Sequence, residues 1–140
     1  MRISRDQMLM DITKIVALRS SCQRGHVGCV ISHLGRIISI GYNGAPSGLP
    51  HCTPETCNEN NPCTHTVHAE ANAIAFAAKQ GLKTEGSILF CNYSPCVECA
   101  KLIINAGIVA VIFENPYRLK AGLNLLKKAG VTIRRYNENI

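Results

Sequence analysis

Residues 87–114, SILFCNYSPCVECAKLIINAGIVAVIFE, read as a strand, a helix and a strand. SILFCNY and IVAVIFE are short apolar runs rich in β-branched and aromatic residues, and VECAKLIINAG between them is helical and closed by Gly107. The alternation continues downstream, with LKAGLNLLKKAG (119–130) as a helix and VTIRRY (131–136) as a strand. Upstream lies VHAEANAIAFAA (67–78), alanine-rich and apolar almost all round, which predicts a largely buried helix. HVGCVIS (26–32) and RIISIGYN (36–43), separated by HLG with Gly35 in the turn, predict a hairpin. In RDQMLMDITKIVALRS (5–20), Met8, Ile12, Ile15, Val16 and Leu18 recur at largely helical spacing and predict a first helix. The fold class is therefore α/β, a central sheet covered by helices on both faces, in a single domain spanning 1–140.

The 140 residues carry 15 Lys and Arg against 9 Asp and Glu, a formal charge of +6, which suits an anionic partner such as a nucleotide phosphate or nucleic acid. The excess is spread out; Lys127-Lys128 and Arg134-Arg135 are its only dense points, read as solvated faces. The start, MRISRDQMLM, places charges where a secretion or spanning segment needs an apolar run, so a cytoplasmic protein is expected. Eight cysteines in such a chain point to metal ligands or catalytic thiols rather than a disulfide framework.

The strongest chemical signal is SPCVEC (94–99), between a strand end and a helix start. Cys96 and Cys99 are three apart, so their sulfurs can meet one ion, and the helix N-terminus favours thiolates. C-x-x-C is equally a redox motif. His68, on a second helix, separates the two: a His-Cys-Cys set leaves one position open, the arrangement of a catalytic zinc site. Glu70, two residues on, faces that position without being a ligand. For the local string alone, a core histidine beside a dipole-favoured carboxylate is the plainer alternative.

His68-Ala69-Glu70 followed by Pro95-Cys96-Val97-Glu98-Cys99 resembles the H-x-E…P-C-x-x-C signature of the zinc-dependent nucleoside and nucleotide deaminases. VGCVI, GRIISIGYNGAPSG, HAEANAI, SPCVECAKLIINAGI and AGVTI extend the resemblance to the deoxycytidylate deaminases over nearly the whole chain, nearest to short bacterial and phage forms. The resemblance implies a cytidine-deaminase-like three-layer α/β/α sandwich with a mixed sheet of about five strands. It implies a hydrolase that converts dCMP to dUMP and ammonia, supplying dUMP for thymidylate synthesis. Zinc is the implied cofactor, and Glu70 the group that takes a proton from the attacking water, passes it to ring N3 and helps protonate the departing amine. Asn43 matches a sugar-contacting position, while Ala69 and Ser94 would lend main-chain groups to the base. Tyr117 would close over the base or reach the phosphate. His65 stands where the bacterial forms carry arginine, a departure that affects the phosphate-binding set.

Similar short deoxycytidylate deaminases carry cysteines where this chain has Cys22, Cys52, Cys57 and Cys63, and some hold a structural second zinc there. Such an ion would fix the long loop GAPSGLPHCTPETCNENNPCTHT, which has little apolar content of its own, with His51 and His65 as reserve ligands. Cys29 and Cys91 lie within strands and read as small buried hydrophobes. The resemblance further implies a homo-oligomer, a hexamer, activated by dCTP and inhibited by dTTP, with Mg2+ accompanying the triphosphate. Tyr42, Asn43, Gly44 and Arg24 would form the effector site. Competing readings are a deaminase of another cytosine nucleoside or nucleotide, including modified cytosines, a polynucleotide deaminase acting on tRNA adenosine or single-stranded DNA, and a zinc-stabilised binding module without chemistry. Three Phe, four Tyr, no Trp and no clear basic track argue against a polynucleotide track.

Overall fold

Short apolar runs of alternating sidedness organise the computed structural model, which describes residues 1–58 and 60–137. β1 (Gly28–His33) and β2 (Arg36–Tyr42) pair antiparallel as the expected hairpin, but His33 joins β1 opposite Arg36 and the turn shortens to two residues. Leu34 and Gly35 both take positive φ, 50° and 76°, the backbone twist that a tight hairpin requires. β3 (Ile88–Tyr93) lies antiparallel beside β1, and β4 (Ala110–Asn115) and β5 (Thr132–Arg135) add parallel strands. The mixed five-stranded sheet has the order β2-β1-β3-β4-β5.

Strand periodicity sends residues to two faces. Cys29, Ile31, Leu89, Cys91, Val111 and Phe113 pack beneath α2 (Ala69–Lys79), α3 (Val97–Asn105) and α4 (Ala121–Lys128). Val30, Phe90 and Ile112 face α1 (Arg5–Ala17) on the other side. This is the expected three-layer sandwich. Cys29 and Cys91, opposite each other on β1 and β3, are fully buried hydrophobes as expected.

Two helix expectations need correction. The buried face of α1 is Leu9, Met10, Thr13, Val16 and Ala17, while Ile15 and Leu18 are 64% and 75% exposed and Met8 is also exposed. The Thr13 hydroxyl donates to the Leu9 carbonyl at 2.8 Å, so burying it leaves no polar atom unmet. The chain holds two overlapping apolar stripes, and contact with the sheet selects one. Nor is α2 buried all round: Ala69, Glu70, Ala73 and Ala77 form its inner face and Phe76 is exposed.

Alanine in α2 serves closeness to the sheet rather than burial on every side. A Cβ on Gly41 of β2 would fall 2.5 Å from the Ala73 nitrogen and nearer still to the Ala69 carbonyl oxygen. Gly28 makes the matching approach to α1, where a Cβ would lie 2.7 Å from the Ala17 nitrogen. Because these obstacles are backbone atoms, Gly41→Ala must push α2 away. It should lower stability by roughly 1–3 kcal/mol, read as a shifted midpoint in urea unfolding, and an unchanged midpoint would contradict this packing.

Candidate active site

α2 and α3, side by side on the same face of the sheet, bring their N-termini together. His68 is the N-cap of α2 and Cys96 the N-cap of α3; neither side chain caps its own helix, so both are free to face the gap between them. Cys99 sits in the first turn of α3, buried. His68 Nδ1 lies 3.4 Å from Cys96 Sγ and 3.4 Å from Cys99 Sγ. Among the described residues, these three are the group whose ligand atoms converge, all within 4.8 Å of one another.

The donor set fits zinc. With Zn–N near 2.1 Å and Zn–S near 2.3 Å, a tetrahedral ion separates nitrogen from sulfur by about 3.6 Å, close to the observed spacing. The electrostatics point the same way. Hydrogen bonds from the Cys99 thiol and from His68 hold the Cys96 thiol down to about 3, so Cys96 carries the negative charge. The bond to Cys96, and then burial, push the Cys99 thiol well above its usual range, so it keeps the shared proton. The same bond to Cys96 raises the His68 imidazole. A metal ion must displace these protons, and the two helix N-termini favour the thiolates that result.

Glu70 occupies the first turn of α2, only 4% exposed, and burial raises its carboxyl above the usual range against hydrogen bonds from Cys99 and its own amide. A carboxylate one turn from the donor set, held so that it readily keeps a proton, is equipped to move protons beside a metal. It lines a cavity of about 530 Å³ with His68, Cys96, Ala69, Asn43, Ser94 and Tyr117. A larger cavity of about 780 Å³ lies against β2, α2 and residues 44–51 and contains none of the three donors. The chemistry follows the donor set, not the volume.

The other expected residues divide. Ser94 is buried; its N–H donates to the Asn115 carbonyl and its hydroxyl accepts from the Tyr117 N–H at 2.6 Å, which holds Tyr117 at the rim. Both ends of the Asn43 amide are engaged by main chain, Oδ1 accepting from Val27 N–H and Nδ2 donating to the Gly25 carbonyl, each at 2.8 Å. His65 is placed elsewhere, exposed, with Nε2 3.0 Å from the Pro50 carbonyl oxygen. Arg24 and Asn43 line the site cavity, whereas Tyr42 and Gly44 line the larger one, so the expected effector set is split between the two. The Arg24 guanidinium donates to the carbonyls of Asn58 and Asn61 at 2.6 and 2.5 Å, pinning the long loop.

The loop cysteines gather without closing. Cys52 Sγ is 3.6 Å from the Thr66 hydroxyl and Cys63 Sγ accepts from Thr66 N–H at 3.4 Å, while Cys22 and Cys63 line one cavity. Among the described residues, no three of Cys22, Cys52, Cys57 and Cys63 bring their sulfurs into one ligand group. Arg24 and the Thr53–Thr56 hydrogen bonds hold the loop instead. The cavity wall at Gly25, His26, Val27, Thr66 and Tyr93 escaped the sequence reading, because none of these residues belongs to a spaced chemical motif.

Three ligands, an open fourth position and a buried carboxylate beside it are the layout of a hydrolytic metal centre rather than a closed structural one. Residues 3–115 match the family model described as the cytidine and deoxycytidylate deaminase zinc-binding region, and the chain belongs to that family. It is 40% identical over 134 residues to ComE operon protein 2 of Bacillus subtilis, covering 94% of this chain and 71% of that one. It is 34% identical to the deoxycytidylate deaminase of Saccharomyces cerevisiae over 98% of this chain, which spans 46% of that longer protein. The dCMP deaminase of cyanophage S-TIM5, solved in complex with dCMP and dUMP, superposes with a TM-score of 0.88 at 32% identity, covering 96% and 98% of the two chains.

Proposed function

We propose that residues 1–140 form one catalytic domain that hydrolytically deaminates dCMP to dUMP and ammonia. The observation that carries this reading is the buried Glu70 beside the His68, Cys96 and Cys99 donors, on a cavity whose volume suits a mononucleotide. The likeness to a phage enzyme solved with dCMP and dUMP supports the choice of base and phosphate level.

His68, Cys96 and Cys99 would hold a zinc ion, whose Lewis acidity would lower the pKa of a bound water toward neutrality. The chain's own residues do the rest. Glu70 takes the proton from the attacking water and delivers it to N3 of the cytosine, which makes C4 electrophilic. The water oxygen bonds to C4, Glu70 takes the second proton from the resulting C4 hydroxyl and passes it to the exocyclic amine, and the C4–N bond breaks as C4=O forms, releasing ammonia. Tyr117, held by Ser94, closes the rim over the base, and the Asn43 amide, which keeps one oxygen lone pair and one N–H beyond its main-chain bonds, reaches the sugar. Ala69 and Ser94, both lining the cavity, lend main-chain groups to the base.

Ammonia release measured across cytidine, deoxycytidine, their monophosphates, and the methylated and hydroxymethylated forms tests the reading. dCMP should give the highest kcat/KM. Preference for a nucleoside or a modified base would reassign the substrate, and silence on all of them would remove the enzyme reading.

The second, structural zinc on Cys22, Cys52, Cys57 and Cys63 is part of the proposal, with the donor set closing as the ion binds. Its support is the shared neighbourhood of Cys52 and Cys63 at Thr66 and the hydrogen bonds that bring the Cys63 thiol down to about 7. Assembly into a hexamer is proposed from the resemblance to the deoxycytidylate deaminases. Regulation by dCTP and dTTP with Mg2+ is proposed with the larger cavity as the effector's place, where the small residues Gly44, Ala45, Pro46 and Gly48 leave room for a triphosphate beside Tyr42. Cytoplasmic function is proposed likewise; among the described residues no helix is long and apolar enough to cross a membrane.

A further inference from the structure

Gly25, His26 and Val27 form one wall of the site cavity and lead directly into β1 at Gly28. In an antiparallel sheet the N–H and C=O groups of this segment would be met by neighbouring backbone. β2 ends at Tyr42 and β3 at Tyr93, and past them Asn43 N–H still donates to the Val27 carbonyl at 3.2 Å. Two asparagine side chains meet other groups of the segment. Asn43, just past β2, accepts from Val27 N–H and donates to the Gly25 carbonyl. Asn92, on β3, does the same one residue along: Oδ1 accepts from Gly28 N–H at 2.9 Å and Nδ2 donates to the His26 carbonyl at 3.0 Å. Each amide spans a carbonyl and the N–H two residues on, and both side chains are buried. Asn92 also links to the opposite wall. Its carbonyl accepts from the Asn115 side chain at 3.2 Å, and the Asn115 carbonyl accepts from Ser94 N–H at 2.9 Å.

We propose that Asn92 is a positioning residue for the substrate, working with Asn43 as an amide pair that carries the sheet's hydrogen bonding past its end and holds the 25–27 wall at the spacing the sugar and phosphate require. Asn92 acts through the main chain of His26 and Gly28. It is four residues from Cys96, so the wall and the metal donors share one strand end. The inference rests on the proposed mononucleotide substrate.

The test compares wild-type, Asn92→Asp and Asn92→Leu proteins with zinc bound, using dCMP and deoxycytidine as substrates. Aspartate keeps the acceptor for Gly28 N–H and turns an oxygen toward the His26 carbonyl; leucine removes both bonds. The KM for dCMP should rise roughly ten-fold in N92L, which loses both bonds, with a smaller rise in N92D. The fall in kcat should be smaller than the rise in KM, zinc content should match wild type, and the preference for dCMP over deoxycytidine should shrink. A merely structural role lowers active-enzyme concentration, which scales kcat for both substrates alike and leaves KM and preference in place. That result in N92D, which retains one of the two bonds and serves if N92L does not fold, overturns the inference while the substrate reading stands. A wild type inactive on dCMP overturns both.

Discussion

Replacing Glu70 by glutamine should cost roughly two to four orders of magnitude in deamination while the metal stays bound, the range for a positioned acid–base group. The amide keeps the shape of the carboxylate but can neither take the proton of the attacking water nor deliver one to the ring. Zinc content of the purified variant and nucleotide binding by calorimetry should match wild type. Loss of the metal would make Glu70 a ligand, and near-normal turnover would remove it from the mechanism.

The same substitution has a second signature. Burial raises the Glu70 carboxyl in the folded chain, so the unfolded chain releases that proton at lower pH than the folded one. Below the ordinary carboxylate range both states are protonated and nothing is lost. As pH rises through that range toward the raised folded value, the wild type loses stability. Glutamine has no proton to release. Glu70→Gln should therefore unfold at a higher temperature than wild type at pH 7, with the gap narrowing toward pH 4. A variant less stable than wild type at pH 7 would mean that the carboxylate is held by compensating partners.

Metal stoichiometry carries the other large effect. Wild-type protein should contain close to two zinc ions per chain. His68→Ala should retain one and lose activity by at least roughly three orders of magnitude, since the acidified water goes with the metal. Cys57→Ser should also drop to one but keep measurable turnover, with a loop more open to protease. A wild-type ratio of one, with the four loop thiols titrating freely, would eliminate the structural ion and leave Arg24 as the loop's main tether.

The sequence alone determined the order of elements, the sidedness of the strands and the His68, Cys96 and Cys99 donor group. Strand periodicity is local, since alternate residues such as Val30 and Ile31 must face opposite layers wherever the strand lies. The His-x-Glu and Cys-x-x-Cys spacings are local too, because each pair occupies the first turn of one helix, where side-chain direction follows from the helix itself. Tertiary structure decided which stripe of α1 is buried, since Met8, Ile15 and Leu18 compete with Leu9, Thr13 and Val16 at similar spacing and only the sheet chooses. It decided that Arg24 pins the loop and that Tyr42 and Asn43, adjacent in sequence, serve different cavities, because neighbouring residues leaving a strand point to opposite sides. The role of Asn92 was likewise invisible: an asparagine within a β-run carries no signal of its own, and its two partners lie 64 and 66 residues away, brought within reach only when β3 pairs with β1.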